Sequence, residues 1–371
     1  IIKKIILLCK NIFSVIRKLI TLPKKISFIK SLIETVSDYY KHKLRYKRQN
    51  KDMNLFGLIK SLIGFHEAAL LYSQLNEIYD VIQAYAIEPI YFSFMQNKTP
   101  LIAFEHGTIR QIPFNFDILG ILTARAYKKA QFCFITNADN IVAAKKLKLN
   151  SISFIPHPIN EDHIQDEDFV KNNKSKLHAK YLCNEIIFHP SRHDWGLDND
   201  QSMMKANDIF FKGFATYLKE INKKSICITT EWGISVDSTK KLIKDLNIED
   251  RVIWTKPLPN IEFIKLLSLT DIVADQFYLG AFGSLTPKAL MLGIPVLLYL
   301  DKEKHNWALE EMPPVLNTPS SDEVFRALKD LYTNPELRKS ISKHSKEWYE
   351  KYHSNKRIFD IFYSIYSRYL K

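Results

Sequence analysis

The chain has 371 residues, 46% of them apolar, with only 10 glycines and 15 prolines, which excludes disordered and collagen-like classes and exceeds one ordinary core. Its net charge of +13 is lopsided: residues 1–52 hold 14 Lys and Arg against 3 Asp and Glu, leaving the rest close to neutral. A nearly neutral body argues against nucleic acid as the partner.

Residues 5–80 carry helical patterning, broken near Pro23 and over 41–52. Lys3, Lys4, Lys10, Arg17 and Lys18 interrupt every apolar run before the roughly 18–20 residues that a spanning helix needs. The basic amphipathic region 1–52 therefore reads as lying on an anionic membrane surface, with packing on the protein's own core as the alternative. Cys9, Cys133, Cys183 and Cys227 are scattered, without CxxC or metal spacing. They point to a reducing, cytoplasmic compartment, with Cys133 and Cys227 as buried thiols, and the basic region adds a peripheral place on the membrane face.

From Asp80 the pattern changes. Strand-like DVIQAY, PLIAFEHG, QFCFITN and SISFIPHP alternate with helix-like EPIYFSFMQNK, 119–129 and ADNIVAAKKLKL. Strands alternating with helices at this spacing predict βαβ units on a parallel sheet, over a first domain at 53–160. No strand pattern precedes residue 80, which reads as a domain incomplete at its N terminus. The polar stretch 159–182 reads as a linker. Alternation then resumes through EIIFHPS, SICITTE, RVIWT and DIVAD, giving a second domain over 161–345. The aromatic-rich segment 346–371 reads as a helix packing back on the first domain. The fold class is α/β, two Rossmann-like doubly wound domains facing across a cleft.

In parallel sheets ligands bind beyond the carboxyl ends of the strands. Those ends carry Glu105-His106-Gly107, Arg192, Glu231, Lys256 and Asp275. After Asp275 comes a turn with Gly280 and Gly283, then Ser284, Leu285 and Thr286 open a helix; helix starts suit phosphate. Arg192 and Lys212 (in FFKG) supply two cations that complete a phosphate clamp with this turn. His106 is the candidate for touching a sugar or an acceptor hydroxyl. No P-loop lysine motif and no Gly-x-Gly-x-x-Gly run after a strand exists, and no histidine spacing suits a metal.

Four blocks in order, DVIQAY…PLIAFEHG, AYKKAQFCFITNADN…ISFIPHPIN, SRHDW…FFKGF and GAFGSLTPKALMLGIPV, resemble a known family. From about Asp80 onward the chain resembles the retaining, GT-B-fold nucleotide-sugar glycosyltransferases of the group 1 class. The resemblance implies that Arg192, Lys212 and the Gly283, Ser284, Leu285 and Thr286 turn hold a donor diphosphate, with His106 near the transferred sugar. It places Glu231, Trp254, Lys256, Leu258 and Lys288 in the nucleoside and ribose region, where a glutamate at position 288 would usually meet the ribose hydroxyls, and Glu105, His106 and Gly107 on the acceptor side. It implies no cofactor and no metal, with a nucleotide-sugar donor and a glycan or lipid-linked acceptor of surface polysaccharide or glycolipid assembly. The chain departs from the pattern where glutamates are usual, at Gly280 and Lys288. That departure leaves a catalytically inactive nucleotide- or membrane-binding protein as the alternative, and a sugar-nucleotide epimerase as a weaker one.

Overall fold

A computed structural model describes residues 25–45, 55–94, 99–115, 117–149, 151–162, 164–196 and 204–370. Cys9, the basic stretch 1–24 and Asp198-Asn199-Asp200 lie outside them. The chain divides into two compact units: residues up to Thr136 with Asn140–Ile155 and Phe362–Lys371, and Asn137–Asp139 with Pro156–Ile361.

The first unit opens with helices α1 (Lys25–Arg45), α2 (Leu55–Leu71) and the short α3 (Leu75–Ile78). A four-stranded parallel sheet follows, β1 (Ile82–Tyr85), β2 (Leu101–Phe104), β3 (Phe132–Ile135) and β4 (Ile152–Phe154), in that spatial order. The crossovers are α4 (Pro89–Ser93), α5 (Ile118–Lys129) and α6 (Ile141–Leu147). Right-handed crossovers that all step in one direction put every connecting helix on one face of a sheet. On that face Phe28, Leu58, Leu62, Ile90, Phe94, Ile121 and Leu122 form one core, so α1 and α2 pack as a further layer over α4 and α5. Arg125 fixes α1 there: it is 6% exposed, pairs with Asp38 at 3.0 Å and donates to Ser31 O and Thr35 Oγ1. On its water side α1 leaves Ile29, Ile33 and Tyr40 more than half exposed.

The second face of this sheet is covered by α15 (Asn355–Tyr366), at the end of the chain. Phe362 lies 6.0 Å from the Phe104 ring and 5.1 Å from Phe134, and Tyr366 donates to Gln83 Oε1. The helix preceding it, α14 (Pro335–Tyr352), runs across position 345, and the chain passes from the second unit to the first between Ile361 and Phe362.

The second unit begins where a linker is expected. Residues Glu167–Tyr181 form helix α7 instead. Asp166 caps it by accepting from Phe169 N–H at 2.7 Å, and Lys174 ties it to Asp271 at 2.7 Å. The helix buries none of its residues, which is why its sequence reads as polar on every side. Its six-stranded parallel sheet comprises β5 (Glu185–His189), β6 (Ser225–Thr230), β7 (Val252–Thr255), β8 (Ile272–Ala274), β9 (Val296–Leu298) and β10 (Leu316–Asn317). The spatial order is β10-β9-β8-β5-β6-β7. Helices α8 (Asn207–Glu220), α9 (Val236–Asp245), α10 (Asn260–Ser268), α11 (Leu285–Met291), α12 (Lys302–His305) and α13 (Ser321–Thr333) complete it. Phe210, Phe211, Phe214 and Tyr217 of α8 fill the core against Val324 and Leu328 of α13.

Among the described residues no helix is long and apolar enough to cross a membrane. Cys133, Cys183 and Cys227 are buried free thiols.

The α8–α13 contact is close at Gly213, where a Cβ would stand 2.5 Å from Ser321 O and 2.7 Å from Val324 Cβ. Gly213→Ala is therefore expected to cost about 1–3 kcal/mol in urea unfolding. Gly64→Ala, on α2 with nothing within 4 Å of the added carbon, is expected to be neutral or to gain up to about 1 kcal/mol.

Candidate active site

The second sheet reverses direction between β5 and β8. From β5 the chain steps outward to β6 and β7, then returns to place β8 on the other side of β5. Loops leaving two such strands diverge and leave a crevice between them, the usual ligand position in an open α/β sheet. The loop after β5 carries Ser191, Arg192, His193 and Asp194; the loop after β8 carries Asp275 to Ser284.

Asp275 joins the two. Its carboxylate accepts from Ser191 Oγ at 3.1 Å and from Thr286 Oγ1 at 2.7 Å, and the residue is 5% exposed. One buried acceptor thereby fixes the end of β5, the end of β8 and the first turn of α11. The Thr286 side chain is committed to this bond, so what it offers a ligand is its backbone. First-turn N–H groups have no acceptor within their own helix, and the Ser284 side chain takes none of them. Gly283 and Ser284 are exposed, and Leu285 is half-buried.

Gly280 turns the loop with φ +68°, and a Cβ there would stand 2.7 Å from Asp301 Cβ. The position has neither the backbone angle nor the space for a glutamate. Lys288, on the second turn of α11, donates to Asn260 Oδ1 at 3.2 Å and lies 5.2 Å above the Phe263 ring. Burial lowers its pKa.

Beneath Arg192 lies a buried polar network that the sequence does not announce. His189 is fully buried, with Nδ1 2.8 Å from Ala274 O and Nε2 2.9 Å from Asn207 Nδ2. A carbonyl only accepts, so Nδ1 carries the proton and Nε2 receives the bond from Asn207. Asn207 Oδ1 in turn accepts from Asp194 N–H at 3.0 Å. Thr229 Oγ1 donates to His189 O, which leaves His193 Nε2 as the donor to Thr229 at 3.0 Å. The Arg192 loop therefore rests on two neutral histidines of fixed tautomer.

Arg192 itself pairs with Asp194 at 3.3 Å, its side chain about one-quarter exposed. The lysine brought to the same loop is Lys205. Its N–H donates to Asp194 O at 2.7 Å, its carbonyl accepts from Phe277 N–H at 2.9 Å, and its ammonium reaches Gln276 Oε1 at 3.2 Å. Lys205 thus bridges the β5 loop and the β8 loop. Ala206 follows at φ +53°, a left-handed angle that favours glycine and costs an alanine roughly 1 kcal/mol. Lys212 lies two turns into α8 and folds back on Asp208 of the same helix at 2.8 Å, half exposed. The signal missed in the sequence is the run Lys-Ala-Asn-Asp at the start of α8, where a lysine just before a helix sits at the strand-end surface; FFKG places its lysine too deep.

At the outer edge Glu231 is held by Lys240 and Lys256, whose charge-assisted bonds bring its pKa down to about 2. Lys240 also lies 5.4 Å over the Trp254 ring, which packs 5.1 Å from His193. Lys256 is exposed and Leu258 half-buried on the way to α10. In the first unit His106 is exposed beside Phe104 and Tyr85, at 5.1 and 5.8 Å, and partial desolvation lowers its pKa. Gly107 turns the chain after it at φ +83°. Glu105, by contrast, is fully buried, accepting from Asn140 Nδ2 at 2.9 Å, and burial raises its pKa. Its carboxyl supports the strand end and does not face a ligand. Among the described residues no cluster of His, Cys, Asp and Glu has metal-binding geometry.

No protein-family model matches the chain, and no curated protein matches it. Solved structures do. HepE of Anabaena, in complex with UDP, is 14% identical over 83% of this chain and 84% of that one, with a TM-score of 0.65. Sucrose-phosphate synthase of Thermosynechococcus elongatus is 11% identical, covering 82% and 77%, with a TM-score of 0.61. WaaG, a glycosyltransferase involved in lipopolysaccharide biosynthesis, is 14% identical, covering 85% and 84%, with a TM-score of 0.55. At such identity the likeness is one of fold, and the fold is GT-B, with two Rossmann-like units.

The histidine network sets a pH dependence. Burial lowers the pKa of His189 to about 4 and, with the neighbouring His189, that of His193 to about 3; buried His353 stands at about 4. Each folded value lies below the unfolded one, so the unfolded chain binds protons first. Stability is full above about pH 6.5 and falls as pH drops toward 4. His189 alone contributes on the order of 3 kcal/mol to that loss. Urea melts across this range measure the slope, and His189→Gln, with nothing to titrate, is expected to flatten it.

Proposed function

We propose that this chain is a glycosyltransferase that takes a sugar from a nucleotide-diphospho-sugar. The observation that carries this reading is the pair Arg192 and Lys205, both anchored on Asp194 at the strand reversal, beside the exposed start of α11. Two cations and a set of backbone N–H groups converging on one crevice suit a diphosphate more than any neutral ligand. The fold shared with UDP-bound HepE supports the same choice.

In this mechanism the bond between the sugar's anomeric carbon and the diphosphate oxygen breaks, and charge grows on the leaving phosphate. Arg192, Lys205 and the α11 amides stabilise that charge where it develops, in place of a metal ion. The incoming group is a hydroxyl of a glycan or lipid-linked acceptor in surface polysaccharide or glycolipid assembly; its oxygen bonds the anomeric carbon and its proton leaves on the departing diphosphate. His106 of the first unit, neutral near pH 7 and held against Phe104, is the acceptor-side residue that the resemblance implies. Retention of the anomeric configuration is part of this proposal, as the resemblance to retaining enzymes implies.

A second reading rests on Lys288. The side chain that meets the ribose in active relatives of this pattern is a glutamate, and the lysine here is occupied by Asn260. A protein that binds nucleotide without turnover is the outcome this predicts, and a panel of UDP-, GDP- and ADP-sugars with acceptor separates the two. Under the transferase reading Arg192→Ala and Lys205→Ala each lower kcat by about 100-fold or more, with melting temperatures little changed. Lys212→Ala is expected to lose less than about threefold, its ion pair being an exposed one within α8. Equal losses for Lys205 and Lys212 would return Lys212 to the clamp.

The acceptor chemistry favours work at an anionic bilayer. The exposed Ile29, Ile33 and Tyr40 of α1 are flanked by Lys30 and Lys41, an apolar stripe edged with positive charge. Ile33→Asp is expected to cut cosedimentation with phosphatidylglycerol vesicles severalfold, most clearly at low salt. Unchanged cosedimentation removes α1 from the contact.

A further inference from the structure

Beyond the residues already assigned, the end of β6 carries a side chain whose setting has no structural explanation. Trp232 is 44% exposed, yet it is not loose. Its indole N–H donates to Pro190 O at 3.0 Å, and its own carbonyl accepts from His193 N–H at 2.9 Å. The next residue, Gly233, has φ +115°, and a Cβ there would stand 2.3 Å from His193 O and 2.8 Å from Arg192 Cγ. The turn bearing Trp232 is thus pressed directly onto the loop bearing Arg192. The ring's one polar atom is satisfied and its orientation fixed, while close to half of the residue's surface remains in water. Core packing does not require this: Trp348 is 3% exposed, and Trp195 and Trp254 are half-buried.

We propose that Trp232 is the stacking platform for the nucleobase of the donor. The assignment rests on the nucleotide-sugar reading above and names an affinity-supplying residue within that site. Strand order gives the direction. The diphosphate groups are gathered at β8 and β5, and β6 is the next strand out, about 4.8 Å further. A base one ribose away from a diphosphate on Arg192 therefore meets the β6 turn. Glu231, beside Trp232, is neutralised by Lys240 and Lys256, so the surroundings do not repel a nucleotide. Stacking alone accepts any base, so the ring supplies affinity and leaves base choice to other groups.

The test is calorimetric titration of the full chain and its Trp232→Ala and Trp232→Phe variants with UDP, GDP, ADP and inorganic diphosphate. Whichever nucleoside diphosphate binds wild-type protein is expected to bind Trp232→Ala about 5- to 150-fold more weakly, the range for loss of one base–aromatic stack. Trp232→Phe keeps most of the affinity, and inorganic diphosphate binds all three proteins alike. Equal weakening of inorganic diphosphate would show that the ring only props the Arg192 loop, and overturns the assignment. So does unchanged nucleotide binding in Trp232→Ala. If wild-type protein binds no nucleoside diphosphate but Arg192→Ala still abolishes transfer, the platform fails and the transferase reading stands. If neither occurs, both fail. Thermal melts confirm that each variant is folded, the ring being too exposed for its loss to unfold the unit.

Discussion

The site depends on one buried acceptor. Asp275 receives hydroxyl hydrogens from Ser191 and Thr286, which stand at the ends of different elements. Removing such an acceptor leaves two buried hydroxyls without partners, and removing either hydroxyl leaves a buried oxygen short of a bond. The loops that carry Arg192 and the α11 turn are therefore positioned by the same carboxylate, and their spacing is a property of the sheet reversal, not of loop flexibility. His189 repeats the arrangement one layer down, its Nδ1–H on Ala274 O spanning β5 to β8.

Much of this was legible in the sequence. Apolar runs such as Ile186-Ile187-Phe188 and Ile272-Val273-Ala274 are buried on both faces and read as strands because parallel strands must be. Glycine and a helix start after Asp275 marked the phosphate-friendly turn. What remained hidden depends on pairing between distant residues. Lys205 reads as an ordinary loop lysine until Phe277 N–H is seen on its carbonyl. Glu105 reads as a site carboxylate because it stands next to His106, but alternate residues of a strand end point to opposite sides, and Asn140 claims it. Helix α7 was hidden by having no apolar face, its order coming from an Asp166 cap and an ion pair to Asp271.

The two departures from the glutamate pattern have different physical standing. At Gly280 the absence of a side chain is enforced, since Asp301 fills the space and the backbone lies in the left-handed region. At Lys288 nothing enforces lysine. Its ammonium accepts the cost of partial burial for one amide oxygen and a ring face, an exchange a glutamate would make differently. A position under little packing constraint is where function is free to diverge. A ribose hydroxyl pair and a phosphate ask opposite charges of such a side chain.

The cover supplied by α15 ties a late stretch of the sequence to the first sheet in time as well as in space. The first sheet is complete in sequence at Phe154, but the aromatic side chains that shield its second face come only with Phe362 and Tyr366. About 200 residues separate them, so on a ribosome adding roughly 5–20 residues per second that face is bare for some 10–40 s. Throughout that interval Phe104 and Phe134 form a hydrophobic surface open to chaperones or to other nascent chains. The first sheet is therefore synthesised well before its cover, and a truncation ahead of Phe362 would damage a sheet made long before it.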